Sequence, residues 1–189
     1  MVLIDNLSFP IGLDVTWERA DRVSIPNSYL KNWLLDTGSL TERLQSMCRQ
    51  FSLQKLGQAE QMLHSGEHEW LASHSSTRWY VREVVLFGDH QPWVFARSVL
   101  PHELVEGELA SVGSQPLGKI IFNDQRFSRS EFQLCNISSD HLGQLGLTKD
   151  DVTLWGRRSK FTFNEVDMLV AEVFLPQAPA YLKGNSDAC

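Results

Sequence analysis

Arginines and one glutamate set inside apolar runs are the residues whose types and spacing suit chemistry. Side chains two apart in a strand share a face. On that period Arg82 groups with Tyr80, Val84 and Leu86, Arg97 with Trp93, Phe95 and Val99, and Arg157 with Trp155, Phe161 and Phe163. Glu172 falls in Met168–Leu175, a run apolar on both faces, between Met168, Val170 and Phe174. Burying a charge without a partner costs several kcal/mol, so these residues imply either internal Arg–Glu pairs or a ligand that supplies the missing charge. Arg outnumbers Glu on these faces, which favours an anionic ligand and a pocket for a small carboxylate.

Other chemistry is weakly represented. His64 and His68 are four apart, but Gly66 lies between them and the second His of a zinc-protease helix is missing, so no metal site is expected. The sequence contains no G-x-G-x-x-G, Walker or G-x-S-x-G motif. Cys48, Cys135 and Cys189 are odd in number, far apart and in no C-x-x-C pair, which argues against a disulfide framework. Cys48 reads as a core residue of a helix, and Lys160 beside Arg157 and Arg158 reads as a charge run on a solvated strand face.

The elements that position these residues follow from period and punctuation. A helix is expected between Pro26 and Gly38, capped by Asn27 or Ser28, with Tyr29, Leu30, Trp33 and Leu34 on one stripe. Ser39-Leu40-Thr41-Glu42 has the capping-box spacing and opens a second helix whose stripe runs through Leu40, Leu44, Met47 and Phe51, making a helical hairpin. A weak strand period covers Phe51–Leu63, and His64–Ser76 reads as a surface loop. Arg78–Phe87 and Trp93–Leu100 read as antiparallel neighbours joined by a hairpin over Gly88–Pro92. A Glu-rich, helix-compatible segment follows Pro101, and Ile120–Phe122 is ambiguous. Strands return at Arg126–Ile137, Val152–Phe163 and Met168–Leu175, with a second tight hairpin at Asn164–Asp167.

The pattern is α+β: a single domain on an antiparallel β-sheet of five to six strands with flanking helices and a helical-hairpin flap. A chain of 189 residues, 42% of them apolar and 21% charged, suits one packed domain and disfavours disorder. With 17 basic and 23 acidic residues the net charge is −6, which repels polyanions, so no nucleic-acid partner is expected. The N-terminus lacks a basic region followed by an apolar stretch of signal-peptide length, and no run is long enough to span a membrane. A cytoplasmic protein without stable membrane insertion is expected.

Four segments in order, Arg78-Trp79-Tyr80-Val81-Arg82-Glu83, Pro116-Leu117-Gly118, Leu154-Trp155-Gly156-Arg157-Arg158-Ser159 and Ala171-Glu172-Val173-Phe174-Leu175-Pro176, resemble the chorismate pyruvate-lyase family. The likeness runs from about Tyr29 to Tyr181, which suggests an extension over 1–28, a domain over 29–182 and a tail over 183–189. It implies elimination of pyruvate from chorismate to leave 4-hydroxybenzoate for ubiquinone biosynthesis, without metal or organic cofactor, by a protein expected to be a monomer. By resemblance, Arg82 binds the ring carboxylate and Glu172 faces the hydroxyl end of the ring. The backbone of Leu117 reaches the same carboxylate, and Leu40 stands where the family pattern can have Met. Arg97 matches a further family arginine and is assigned to the enolpyruvyl carboxylate.

The same resemblance carries an alternative, a non-catalytic effector-binding domain as in bacterial transcription regulators. Those chains have a DNA-binding module before this fold, and the residues ahead of it here are few and not basic.

Overall fold

The computed structural model describes residues 8–71, 78–110, 115–146 and 151–182. In chain order, β1 is Glu18–Arg19, α1 Ser28–Leu34, α2 Leu40–Gln45, β2 Phe51–Glu60, α3 Ser65–Leu71, β3 Trp79–Gly88 and β4 Gln91–Pro101. There follow α4 His102–Glu106, α5 Leu117–Ile121, β5 Ser128–Arg129, β6 Gln133–Ser138, β7 Thr153–Phe163 and β8 Val166–Phe174. The strands form one antiparallel sheet in the order β1-β6-β7-β8-β4-β3-β2, with β5 paired to β7. The sheet has eight strands rather than five to six: the two-residue β1 carries no periodic signal, and the segment expected as one strand over Arg126–Ile137 divides into β5 and β6.

Both faces of the sheet are covered. On the near face α1 and α2 pack Leu30, Trp33, Leu34 and Leu44 against Val84, Leu86, Val94 and Phe174, and α4 and α5 extend this layer over Leu100, Phe161 and Met168. On the far face Leu13, Leu142 and Leu145 lie over Val85, Phe95 and Val173, and Leu71 of α3 covers Val81 and Leu169. The boundary at residue 28 therefore divides segments that pack together from residue 8 onward. The proposed tail 183–189 lies outside the described residues.

Local rules account for the helix starts. Asn27 Oδ1 accepts from the Leu30 N–H at 2.8 Å and Ser39 Oγ from the Glu42 N–H at 3.3 Å, satisfying donors that have no intrahelical partner. The second helix stops at Gln45, so Met47 is exposed and Phe51 opens β2. Ile120 and Ile121 are helical, in α5. Ser65–Leu71, expected as surface loop, is a helix with Glu67 and Leu71 buried. Gly66 and the serines around it gave a turn composition that tertiary contacts override.

The two hairpins differ in one respect that decides the site. Each turns through a pair of residues with positive φ, Asp89 (47°) and His90 (69°), and Asn164 (47°) and Glu165 (66°), the conformation that matches strand twist. The β7–β8 register then runs uninterrupted and sets Arg157 opposite Glu172. In β3–β4 the turn pairs Phe87 with Pro92, a register that would set Arg82 against Arg97 on one face if it continued. It shifts by one residue between Leu86 and Phe87, leaving Trp93 as the extra residue, and Arg82 then faces Ser98 while Glu83 faces Arg97. The bulge needs Gly88, because a Cβ there would lie 2.1 Å from the Trp93 ring.

Candidate active site

A cavity opens between the near face of the sheet and the α2 and α5 segments. Its floor is a grid fixed by register: Arg82, Ser98, Val170 and Ser159 form one row across β3, β4, β8 and β7, and Val84, Ala96, Glu172 and Arg157 form the next. Leu40 and Leu117, the first residues of α2 and α5, close it from above, with Phe122, Phe132 and Arg129 at the side. Arg82 and Glu172 are two strands and one two-residue step apart, so their Cα atoms are about 12 Å apart. Both side chains therefore reach the one cavity from separate points of its floor.

Arg82 is 1% exposed, and one Nη donates to the Gln115 carbonyl at 2.8 Å. Burial pushes its pKa down to about 10, the response of a cation deprived of water. Arg157 is 2% exposed and held by three hydrogen bonds. Its Nε donates to Glu172 Oε2 at 2.8 Å, and one Nη donates to the carbonyls of Trp33 and Asp36 at 3.0 and 2.8 Å. It thus joins the C-terminal end of α1, where carbonyls lack helical partners, to the β7–β8 strand pair. Glu172 keeps 20% exposure and lines the cavity. Arg129 stands beyond, its guanidinium 4.5 Å from the Phe132 ring and one Nη on the Thr37 carbonyl at 2.9 Å. Burial, then the charge of Arg157, lowers its pKa. The wall therefore carries Arg82, Arg129 and Arg157 against Glu172, an excess of positive charge.

Arg82, Leu40, Leu117 and Glu172, all expected at the site, are brought together here. Arg97 is not. It lies on the far face, 1% exposed, with Nε and one Nη on the two oxygens of Glu67 at 2.7 and 3.0 Å and the other Nη on Glu83 at 2.9 Å. Burial opposes its charge, but the bonds to Glu67 and Glu83 outweigh this and raise its pKa. Glu83 in turn accepts from the N–H groups of Ile11 and Gly12. Arg97 is a structural tie, and its assignment to the enolpyruvyl carboxylate is withdrawn.

The charge run at 157–160 is likewise no solvated face. Arg157 and Arg158 are buried on opposite faces, Arg158 between the rings of Trp17 and Trp70, and Lys160 pairs with Asp167 at 2.8 Å. Residues that the sequence did not single out are Arg129, Ser98 and Ser159. The two serines follow from the alternation that marks Arg157 and Glu172 once the register is known. Among the described residues no group of three His, Cys, Asp or Glu side chains is placed to hold a metal, and no helix is long and apolar enough to cross a membrane.

An antiparallel sheet with an enclosed cationic cavity under short helices defines a small-anion-binding α+β domain. The fold recurs in the C-terminal domain of a histidine utilization repressor from Pseudomonas syringae, with a TM-score of 0.53, 12% identity, and coverage of 71% of this chain and 97% of that one. It recurs also in the ligand-binding domain of a putative GntR-family regulator from Bordetella bronchiseptica, with a TM-score of 0.50, 15% identity, and coverage of 68% and 86%. Sequence narrows the class. A family model described as chorismate lyase matches residues 12–184, and the chain belongs to that family. A probable chorismate pyruvate-lyase from Pseudoalteromonas atlantica is 47% identical over 95% of this chain and 96% of its own length. A second, from a Shewanella species, is 36% identical over 93% and 96%.

Proposed function

We propose that this protein is a lyase that eliminates pyruvate from chorismate and releases 4-hydroxybenzoate, the ring precursor for ubiquinone. The observation that carries the reading is the placement of Arg82 and Glu172 in one cavity, separated along its floor by the register of β3, β4 and β8. Arg82 takes the ring carboxylate, with the backbone N–H groups of Leu117 and Leu40 beside it. Glu172 faces the C4 hydroxyl, and Arg157 holds it in place. Arg129, on the flank toward β7, is the cation for the enolpyruvyl carboxylate. Two Arg forks suit a dianion in geometry as well as charge.

Loss of the C3 oxygen and the C4 proton leaves an aromatic ring, so the protein has only to hold a reactive conformer and stabilise charge on the departing oxygen. The C4 proton goes either to Glu172 or directly to the enolpyruvyl methylene. In this reading the reaction needs neither metal nor organic cofactor. We further propose a cytoplasmic monomer without a nucleic-acid partner, in keeping with the net charge of −6.

The shared fold with regulator domains favours one other reading, a binding domain without turnover. Incubating the purified protein with chorismate while following ring aromatisation in the ultraviolet and pyruvate release decides. Stoichiometric binding with chorismate recovered intact would establish the binding domain and overturn the lyase.

A further inference from the structure

The cavity floor has two unlike flanks. A ring laid from Arg82 to Glu172 runs diagonally across the grid, over Ala96, Ser98 and Val170. On one side of that line lie Leu53, Val84 and Leu86, all apolar. On the other lies Ser159, in register with Val170, and one step along the same strand face Phe161 pairs with Arg129. The enolpyruvyl group projects sideways from C3, next to C4, and among the described residues of the cavity floor only the second flank offers polar partners.

Ser159 is 4% exposed and lines the cavity, yet no other described side chain engages its hydroxyl. Its hydroxyl is not sealed within the protein but opens onto the cavity, where a ligand group can accept from it. Ser98, buried to the same extent, stands beside Arg82 at the other end of its row.

Resting on the assignment of this cavity to chorismate, we propose that the Ser159 hydroxyl donates a hydrogen bond to the enolpyruvyl group and holds it while it departs. The C3–O bond breaks with its electron pair going to oxygen. The C4–H pair becomes the new ring double bond, and the proton ends on the methylene carbon as enolpyruvate becomes pyruvate. Ser159 keeps its own proton throughout, and its bond strengthens as charge grows on the enolpyruvyl oxygens. Arg129 supplies the charge on this flank and Ser159 the direction. Ser98 attends the carboxylate end, which substrate and product share.

The test compares turnover with product binding in Ser159→Ala, Ser159→Thr and Ser98→Ala. Ser159→Ala should lower kcat/KM for chorismate about tenfold, the value of one hydrogen bond, with 4-hydroxybenzoate affinity and thermal midpoint unchanged. Ser159→Thr, which retains the hydroxyl, should recover most of that loss. Ser98→Ala should weaken chorismate and 4-hydroxybenzoate by the same factor. Full turnover in Ser159→Ala, or an equal loss of product affinity, would overturn the role of Ser159 and leave the lyase standing. A wild-type protein inert toward chorismate would overturn both.

Discussion

Arg82 is held charged in a place that disfavours charge. Its pKa is lowered to about 10 by burial, so at neutral pH it is a cation whose desolvation an incoming carboxylate offsets. Arg82→Ala should therefore weaken substrate and product alike by about 2–5 kcal/mol, read as a rise in the Kd of 4-hydroxybenzoate by calorimetry. The sign of the pH effect follows. The folded pKa lies below the unfolded one, so the burial penalty is present in full at neutral pH and is relieved as pH rises through about 10, where the attraction for an anion is also lost. Benzoate, which has no phenol to ionise, should bind with constant affinity between about pH 7 and 9 and more weakly as pH passes 10. A decline already complete by pH 9 would remove Arg82 from the contact.

Glu172→Gln keeps size and hydrogen-bonding capacity while removing charge and basicity. Arg157 retains the carbonyls of Trp33 and Asp36 in that variant, so fold and product affinity should persist. A fall in kcat of about 10² would mark Glu172 as the base, and one nearer tenfold would mark it as an anchor for the hydroxyl.

Among elements, the β3–β4 hairpin shows how much of the site could be read from sequence and where reading stopped. Alternation placed Arg82 with Tyr80, Val84 and Leu86, which holds, and Arg97 with Trp93, Phe95 and Val99, which holds for Phe95 and Val99 but not for Trp93, the bulge residue, which packs on the near face. Which face each group covers depends on register, and one extra residue at Trp93 sends Arg97 to the far side. No residue type near a two-residue turn announces such a shift. The partner of Arg97 was hidden for a related reason: Glu67 sits on a helix whose composition reads as a loop.

Arg97 ties α3 and the Ile11–Gly12 segment to the sheet through Glu67 and Glu83. Arg97→Ala leaves two buried carboxylates without their cation, and stability should fall by about 3–5 kcal/mol in denaturant unfolding, with the product affinity of the folded fraction retained. A loss of affinity at unchanged stability would return Arg97 to the site. Gly156 acts on the same scale. An added Cβ would meet Cys135 Sγ at 2.8 Å and the Glu172 carbonyl at 3.0 Å, so Gly156→Ala should cost about 1–3 kcal/mol and disturb the strand that carries Glu172.

For the molecule as a whole, a net charge of −6 surrounds a cavity lined by Arg82, Arg129 and Arg157 with Glu172 as the only carboxylate among its described lining residues. The empty fold carries concentrated, partly desolvated positive charge, and a bound anion relieves it, so ligand binding and global stability are linked. At a 4-hydroxybenzoate concentration near 100 times its Kd the folded state gains about 2.7 kcal/mol, which for a chain of this size raises the thermal midpoint by roughly 5–11 °C. Arg82→Ala should lose most of that shift at the same ligand concentration, whereas Arg97→Ala should start from a lower midpoint and keep it. Chorismate should give the same shift as its product, because it is converted during the scan. A shift with chorismate that differs from that of 4-hydroxybenzoate, with chorismate recovered unchanged afterwards, would show that the protein holds this anion as a regulator domain holds its effector and does no chemistry on it.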